Sequence, residues 1–373
     1  MKGIILAAGA GSRLYPASHH ISKILLPIYD KPMIYYPLST LMLAEIKDIL
    51  IITNEADYDN FVKLLGDGSR WGLHIEYRIQ YVQKGIADAF LIAEDWINKE
   101  KVALILGDNI YHGHGFSTIL KNVVNNNTGA TVFGYTVKDP ERFGVVEFDE
   151  HKKVLSLEEK PKHPKSNYAV TGLYFYDENV CEYAKMLKPS ARGELEITDL
   201  NKIYLEKGKL NVEILGRGFA WLDTGTHDSM LQASNFVQSM ELNKGVKISC
   251  LEEIAVNHGF IAADKVLENC KQYENNDYYD YVRQVVKQKP LIFAIGNAPT
   301  ALVRLYELIE DGKLQPELII GVPVGFVNVV QSKELIMQAD VPYIVAKGRK
   351  GGSNIAACIC NALLYMIDNN RGY

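Results

Sequence analysis

The sequence predicts an α/β protein: a Rossmann-like, mostly parallel mixed sheet, followed by a smaller, partial α/β domain at the C-terminus. Three observations predict it. Short apolar runs ending in Gly or Asp alternate with helical stretches, the pattern of βαβ units. From Ala130 the runs crowd together and fill with Val, Tyr, Phe and Thr, as strands that extend such a sheet do. The chain has 373 residues, beyond the roughly 250–300 at which one hydrophobic core stops growing.

Taken in order, Lys2 to Leu6 reads as a short buried strand and Ala8-Gly9-Ala10-Gly11-Ser12-Arg13 as a Gly-rich loop. A helical stretch lies near Leu38 to Ala44, then a strand at Ile49 to Thr53. Val102 to Leu106 is a further strand, ending in Gly107-Asp108-Asn109. In parallel sheets, ligands sit at the carboxyl ends of strands, where the Gly-rich loop and Asp108 both fall. Ala130 to Tyr135, Gly144 to Phe148, Val154 to Leu157 and Tyr168 to Tyr176 read as strands, and about Thr226 to Leu242 as a helix. Polarity around Tyr273 to Lys289, with Lys287-Gln288-Lys289-Pro290, marks a linker. A strand (Leu291 to Ile295), a helix (Thr300 to Ile309), a strand (Leu318 to Val322), Gly-Arg-Lys-Gly-Gly and a final helix follow.

Composition excludes several classes. Net charge is −5, which gives no electrostatic footprint for nucleic acid and no polybasic membrane patch. No stretch approaches a membrane span, and the short apolar start runs into the Gly-rich loop instead of a signal-peptide core. The expected location is the cytoplasm. Five scattered cysteines argue against a disulfide framework, and Cys358-Ile359-Cys360 reads as buried thiols on apolar surface.

Three groups carry chemistry. Glycines of the first loop let backbone N–H groups approach a triphosphate, with Arg13 and Lys23 supplying fixed positive charge. A tight turn beside solvated cations fits the same residues, and the ending of a Walker loop is missing. Asp108, with Asp223 in Trp221-Leu222-Asp223-Thr224-Gly225-Thr226, provides two carboxylates for one Mg²⁺; each Asp by itself also fits a turn or cap. Glu158-Glu159-Lys160-Pro161 is either a solvated turn after a strand or a sugar-phosphate contact through Glu159 and Lys160.

These segments, with Tyr29 to Leu38, Arg142 to Phe148 and Arg192-Gly193-Glu194-Leu195-Glu196-Ile197-Thr198-Asp199, resemble the glucose-1-phosphate thymidylyltransferase family, in order and at matching spacing, over about residues 1 to 285. The resemblance implies a nucleotidyltransferase sheet, dTTP and glucose 1-phosphate as substrates, Mg²⁺ as cofactor and a homotetramer. It implies nucleotide contacts from Ala8, Gly9, Gly11, Ser12, Arg13, Gln80 and Gly85, with Gln80 on the thymine edge and Gly85 leaving room for the base. Arg13, Lys23 and Asp108 would be catalytic, Asp108 and Asp223 metal ligands, and Gly144, Glu159, Lys160 and Val170 the sugar-phosphate pocket. His114 and Arg217 would contribute to a regulatory nucleotide site. Ala8 and Ser12 stand where the family has Gly and Thr. Ile24 replaces Gln, with loss of a polar nucleotide contact, and Tyr81-Val82-Gln83-Lys84 replaces a proline-rich segment.

The tail, about residues 289 to 373, resembles the second half of precorrin-8X methylmutase through Phe293 to Leu302, Gly321 to Asn328 and Gly348 to Asn354. That family's catalytic His belongs to its first half, and Lys289 to Tyr373 contains no His. The expected division is therefore 1–286 for nucleotidyl transfer and 289–373 for a catalytically silent partial domain, whose apolar strand Leu318 to Val322 must be covered on both faces. As half of a domain, the tail is expected to pack on the first domain or a neighbouring subunit, or to stay loosely ordered and prone to aggregation. UTP or another sugar phosphate remains an alternative substrate. A non-catalytic nucleotide-sugar sensor and a corrinoid-binding module are alternatives of other classes.

Overall fold

Successive residues of a strand point to opposite faces of a sheet. In the strand Lys2–Leu6 both faces are buried: Ile5 lies in one apolar layer and Ile4 in another. The computed structural model describes residues 1–287, 291–311 and 314–367. It places this strand inside a nine-stranded sheet. Val102–Leu106 and Asp48–Thr53 flank it in parallel, and His74–Ile79 continues the parallel half beyond. On the other side Tyr168–Tyr176 pairs antiparallel with Val102–Leu106 and with Ala130–Thr136. Gly144–Phe148 and Val154–Glu159 form the outer edge there, and Leu210–Leu215 runs parallel to Ala130–Thr136.

The helix Tyr35–Leu43 covers one face, joining Leu38 and Leu41 to Ile5, Ile49 and Ile105. Phe90 and Tyr204 cover the other, with Ile4, Leu50 and Leu104. Each such aliphatic side chain contributes about 1.5–3 kcal/mol on burial, which is why the strands are apolar on both faces. A separate antiparallel pair, Asn109–Gly113 with Phe219–Asp223, sets Asp223 opposite Asn109. Residues more than a hundred positions apart are thereby joined beside the strand end that carries Asp108.

Several elements differ from the sequence reading, each for a physical reason. The helix begins at Tyr35, ahead of Leu38, because Pro37 falls in its first turn, where no intrahelical donor is needed. Thr226 is the cap of the helix His227–Lys244, and its hydroxyl accepts from the Ser229 N–H. Glu158 and Glu159 belong to the strand Val154–Glu159 itself. The polar stretch near Asn276 leads into a helix, Asp277–Val285, whose first N–H groups donate to the Asn276 side chain. Residues 288–290 of the expected linker lie outside the described residues.

The chain divides into two units, Met1–Lys287 and Gln288–Tyr373. In the second, Ile292–Ile295, Leu318–Gly321 and Tyr343–Val345 form a parallel three-stranded sheet. The apolar central strand needs no cover from outside the tail, contrary to expectation, because the tail's own helices cover it. Ile319 packs with Leu302, Leu305 and Ile336 on one face; Ile320 and Val322 pack with Ala356 on the other. The helix Ser353–Ile367 still exposes Leu364, Tyr365 and Met366. Cys358, expected to be buried, is exposed on this helix, whereas Cys181, Cys250 and Cys270 are buried.

Candidate active site

The loop after Lys2–Leu6 supplies the first part of the site. Gly11 sits at φ +62, a backbone conformation that favours glycine. Its carbonyl accepts a 2.7 Å hydrogen bond from the Ser18 hydroxyl, which fixes the turn. Gly9 has open space where a side chain would stand. Ser12 and Arg13 lie in the short helical turn Ser12–Leu14. Arg13 enters no ion pair among the described residues. Its guanidinium and the Asp223 carboxylate both approach Gly225, each 3.2 Å from the position a Cβ would take there.

Lys23 and Asp108 form an ion pair, largely withdrawn from solvent. Burial alone would push the Asp108 carboxyl up. The Lys23 ammonium, helped by the Asn109 amide at 2.9 Å, outweighs burial and holds it below the usual aspartate range. Asp223 behaves in the opposite way. Burial pushes its carboxyl up, the neighbouring Asp108 charge adds to this, and Lys23, Arg13 and Arg142 offset it only in part. The Asp223 carboxylate makes no hydrogen bond or ion pair among the described residues. An underpaired carboxylate beside a second one is a donor set suited to a hard cation. Among the described residues no group of three or more His, Cys, Asp or Glu could hold a metal ion. A metal here would take two protein carboxylates and fill its shell from phosphate and water, as Mg²⁺ does.

Beside these groups opens a cleft of about 320 Å³. Arg13, Asp108, Asp223, Gly144, Glu159, Lys160 and Val170 line it together. Thr198 donates to Glu159 Oε2 at 2.6 Å. A Cβ on Gly144 would lie 3.3 Å from that hydroxyl and 3.5 Å from the carboxylate, so glycine keeps this wall of the cleft open. Lys160, at φ +44, extends from the end of the strand that carries Glu159. The cleft also contains residues that had no individual role in the sequence reading: Asn109, Arg142, Arg192, Glu196, Thr198 and Trp221. Asn109 is buried. Its carbonyl accepts from Trp221 at 2.6 Å and from the Gly172 N–H at 3.1 Å, while its amide holds Asp108.

On the other side of the first loop, Gln80 follows the strand His74–Ile79, with its N–H on the Thr53 carbonyl. Its side chain is buried and bonded to Asp88. Gly85 has φ +96, and a Cβ there would stand 2.5 Å from the Leu195 carbonyl oxygen. Its need for glycine is close backbone approach to Leu195. Gln83 donates to the Ala8 carbonyl at 2.9 Å, so the segment that departs from the family pattern ties the two loops together. Ile24, which stands where the family has Gln, brings no polar group to this loop. It is buried in the core, and a Cβ on Gly107 would meet its Cδ1 at 3.1 Å. Its side chain packs beneath the strand end. His114 and Arg217 are both exposed, at the same end of the pair Asn109–Gly113 and Phe219–Asp223, where Gly113 faces Phe219.

Comparison with known proteins bears on this geometry. The nucleotidyl transferase family profile matches residues 2–240. Glucose-1-phosphate thymidylyltransferase of Neisseria meningitidis serogroup A is 56% identical over 288 residues, covering 77% of this chain and 100% of the relative. The chain belongs to this nucleotidyl transferase family. A crystal structure from Bacillus anthracis, described as a glucose-1-phosphate thymidylyltransferase in complex with sucrose, is 45% identical with a TM-score of 0.59. It is covered over 94% of its length, and 63% of this chain is covered. UDP-glucose pyrophosphorylase complexed with UDP-glucose aligns at 26% identity and a TM-score of 0.56, covering 64% of this chain and 98% of that one. The precorrin-8X methylmutase profile matches residues 237–366. That match starts inside the helix His227–Lys244, well before the residue 289 at which the sequence reading began it.

Within this nucleotidyl transferase, Arg13, Asp108 and Asp223 of the expected phosphate side share one cleft with Gly144, Glu159, Lys160 and Val170; Lys23 joins through its ion pair with Asp108, and Ala8, Gly9, Gly11 and Ser12 do not line the cleft. Gln80 and Gly85 lie beyond its lining, past the first loop. Arg142, Arg192 and Thr198 stand in segments that carried the family resemblance, so the signal was present; what it lacked was the direction of each side chain.

Proposed function

We infer that the chain transfers a thymidylyl group from dTTP to α-D-glucose 1-phosphate, giving dTDP-glucose and pyrophosphate. The observation that carries this is that Arg13, Asp108 and Asp223 line one cleft together with Glu159 and Lys160, with Lys23 paired to Asp108. The phosphate oxygen of the sugar attacks the α-phosphorus in line, and the bond to the bridging oxygen of pyrophosphate breaks. The attacking oxygen is already anionic near neutral pH, so positioning and charge neutralisation do the work. Arg13 and Lys23 balance charge that shifts onto the leaving pyrophosphate. Lys160 receives the sugar phosphate, and Glu159, held by Thr198, accepts from sugar hydroxyls. Asp108 and Asp223 would hold Mg²⁺, whose contribution when bound is further neutralisation of phosphate charge. Ala8, Gly9, Gly11 and Ser12 present backbone to the triphosphate, and Gln80 reads the base beside Gly85.

Residues 1–286 are assigned this chemistry. Residues 289–373 are a catalytically silent partial domain similar to precorrin-8X methylmutase. The protein works as a homotetramer, with a regulatory nucleotide site to which His114 and Arg217 contribute; their shared, exposed strand-pair end supports that pairing. Among the described residues no helix is long and apolar enough to cross a membrane.

The test is direct. The full chain with dTTP, glucose 1-phosphate and Mg²⁺ should release pyrophosphate in step with dTDP-glucose, and omission of either substrate should stop it. Tight dTTP binding without pyrophosphate release from any sugar phosphate would favour the sensor instead. Faster turnover with UTP would favour uridylyl transfer, the second reading, which the fold likeness to UDP-glucose pyrophosphorylase keeps specific.

A further inference from the structure

We propose that Asp88 is a specificity-determining positioning residue: it locks the Gln80 amide so that the site selects a pyrimidine bearing N3–H over one that lacks it. The proposal rests on the nucleotidyl-transfer reading above and names how its base is chosen. Asp88 opens the helix Asp88–Ile92. Gln80 and Asp88 are 6% and 8% exposed, and Gln80 Nε2 donates to Asp88 Oδ2 at 2.9 Å.

The two ends of an amide are nearly equal in shape but opposite in hydrogen bonding. The nitrogen carries two donors; the oxygen only accepts. A carboxylate also only accepts. Turning the Gln80 oxygen toward Asp88 would set acceptor against acceptor where water cannot screen them. One orientation therefore survives, with Nε2 toward Asp88 and Oε1 away from it. The groups left for a ligand are the Oε1 acceptor and the second N–H of Nε2.

Thymine and uracil present a carbonyl, N3–H and a second carbonyl along their edge. Oε1 accepts from N3–H while the remaining N–H donates to a flanking carbonyl. Cytosine presents a lone pair at N3, and Oε1 would face it as a second acceptor. Gln80 lies at the carboxyl end of its strand, and Gln83 ties the segment that follows it to the Ala8 carbonyl of the first loop. The base reader and the phosphate loop are thus parts of one connected wall.

The decisive variant is Asp88→Asn, which keeps the shape but offers a donor, so that the Gln80 amide can turn over. In the full chain, kcat/KM is measured for dTTP, UTP and dCTP. The dTTP-to-dCTP ratio should fall by about tenfold or more. The dTTP-to-UTP ratio and the KM for glucose 1-phosphate should stay as they are, since neither depends on the amide's orientation. Gln80→Leu should lower the dTTP-to-dCTP ratio as well, and adding Asp88→Asn to it should lower the ratio no further. An unchanged ratio in folded Asp88→Asn would overturn the proposal, as would wild-type protein that uses dCTP as readily as dTTP. Failure of the underlying reading shows separately, as no pyrophosphate from any triphosphate. Asp88 is then judged by the ratio of dTTP to dCTP dissociation constants in wild type and Asp88→Asn, with the same two outcomes.

Discussion

Both units of this chain are built on parallel strands, but their strand ends are finished differently. In the first, the ends at Leu6 and Leu106 open onto a cleft where Arg13 and Asp223 have no ion-pair partner among the described residues. In the second, the ends are closed by backbone. A Cβ on Gly296 would lie 2.6 Å from the Ser353 Cα, and Gly351 lies against the Val322 carbonyl oxygen. Lys333, the buried cation there, spends its ammonium on the carbonyls of Gly348 and Lys350, at 2.9 and 2.8 Å. Strand-end loops become a site when space and charge remain after internal pairing is complete. The first unit keeps both in its cleft; in the second, Lys333 and the loop glycines are taken up by the unit's own backbone.

The largest test of this contrast is charge removal in the first unit. Lys23→Ala and Asp108→Ala should each lower turnover by about 10² or more, the usual cost of losing a preorganised charge at a phosphoryl site; steady-state rates check it. The pair also has a pH signature. Asp108 titrates below the ordinary 3.8 in the folded chain, so its stabilisation is present above that value and is lost as pH falls through the lowered one. Acid unfolding followed by circular dichroism should show this component in wild type and not in Asp108→Asn.

Asp223 should separate activity from stability. Its carboxyl titrates above 3.8, so the folded chain holds this proton more tightly than the unfolded chain. Ionisation therefore costs stability above the raised pKa, and the cost fades as pH falls through it. Asp223→Asn should cut turnover by about 10² and yet raise the neutral-pH Tm of the metal-free protein, with a smaller gain in acid. A lower Tm at neutral pH would remove Asp223 from the role of underpaired carboxylate.

A milder break is Gly85→Ala. The positive φ and the Leu195 backbone leave no room for a Cβ, so about 1–3 kcal/mol of strain follows. If Gly85 lies on the base side as proposed, the KM for dTTP should rise more than that for glucose 1-phosphate. The smallest effect on turnover is expected in the tail. Leu302→Ala, in the tail's own apolar cluster, should destabilise that unit by about 2–5 kcal/mol while the rate stays within about twofold, as for independent sites. Limited proteolysis and initial rates measure the two quantities.

The sequence made the buried strands legible, since Lys2–Leu6 and Val102–Leu106 are apolar runs with clear stops. His74–Ile79 escaped because it alternates His, Glu and Arg with apolar residues along the outer edge of the parallel half. Asp108 and Asp223 could be named, but their closeness comes from the register that sets Asp223 opposite Asn109, a long-range fact without a local signal. At Ile24 the departure from the family pattern was legible, but not that the side chain joins the core. The cover of the tail's central strand by its own helices likewise depended on tertiary packing that periodicity does not specify.

The central claim is that the first unit alone carries the chemistry, and the most direct measurement compares a fragment of residues 1–287 with the full chain. Pyrophosphate release from dTTP and glucose 1-phosphate is followed in both, at matched concentration and with Mg²⁺. Equal kcat/KM within about twofold, with absolute dependence on both substrates, is the predicted result. A fragment that keeps its folded circular dichroism spectrum but releases no pyrophosphate would contradict it, and would make the tail an integral part of the enzyme.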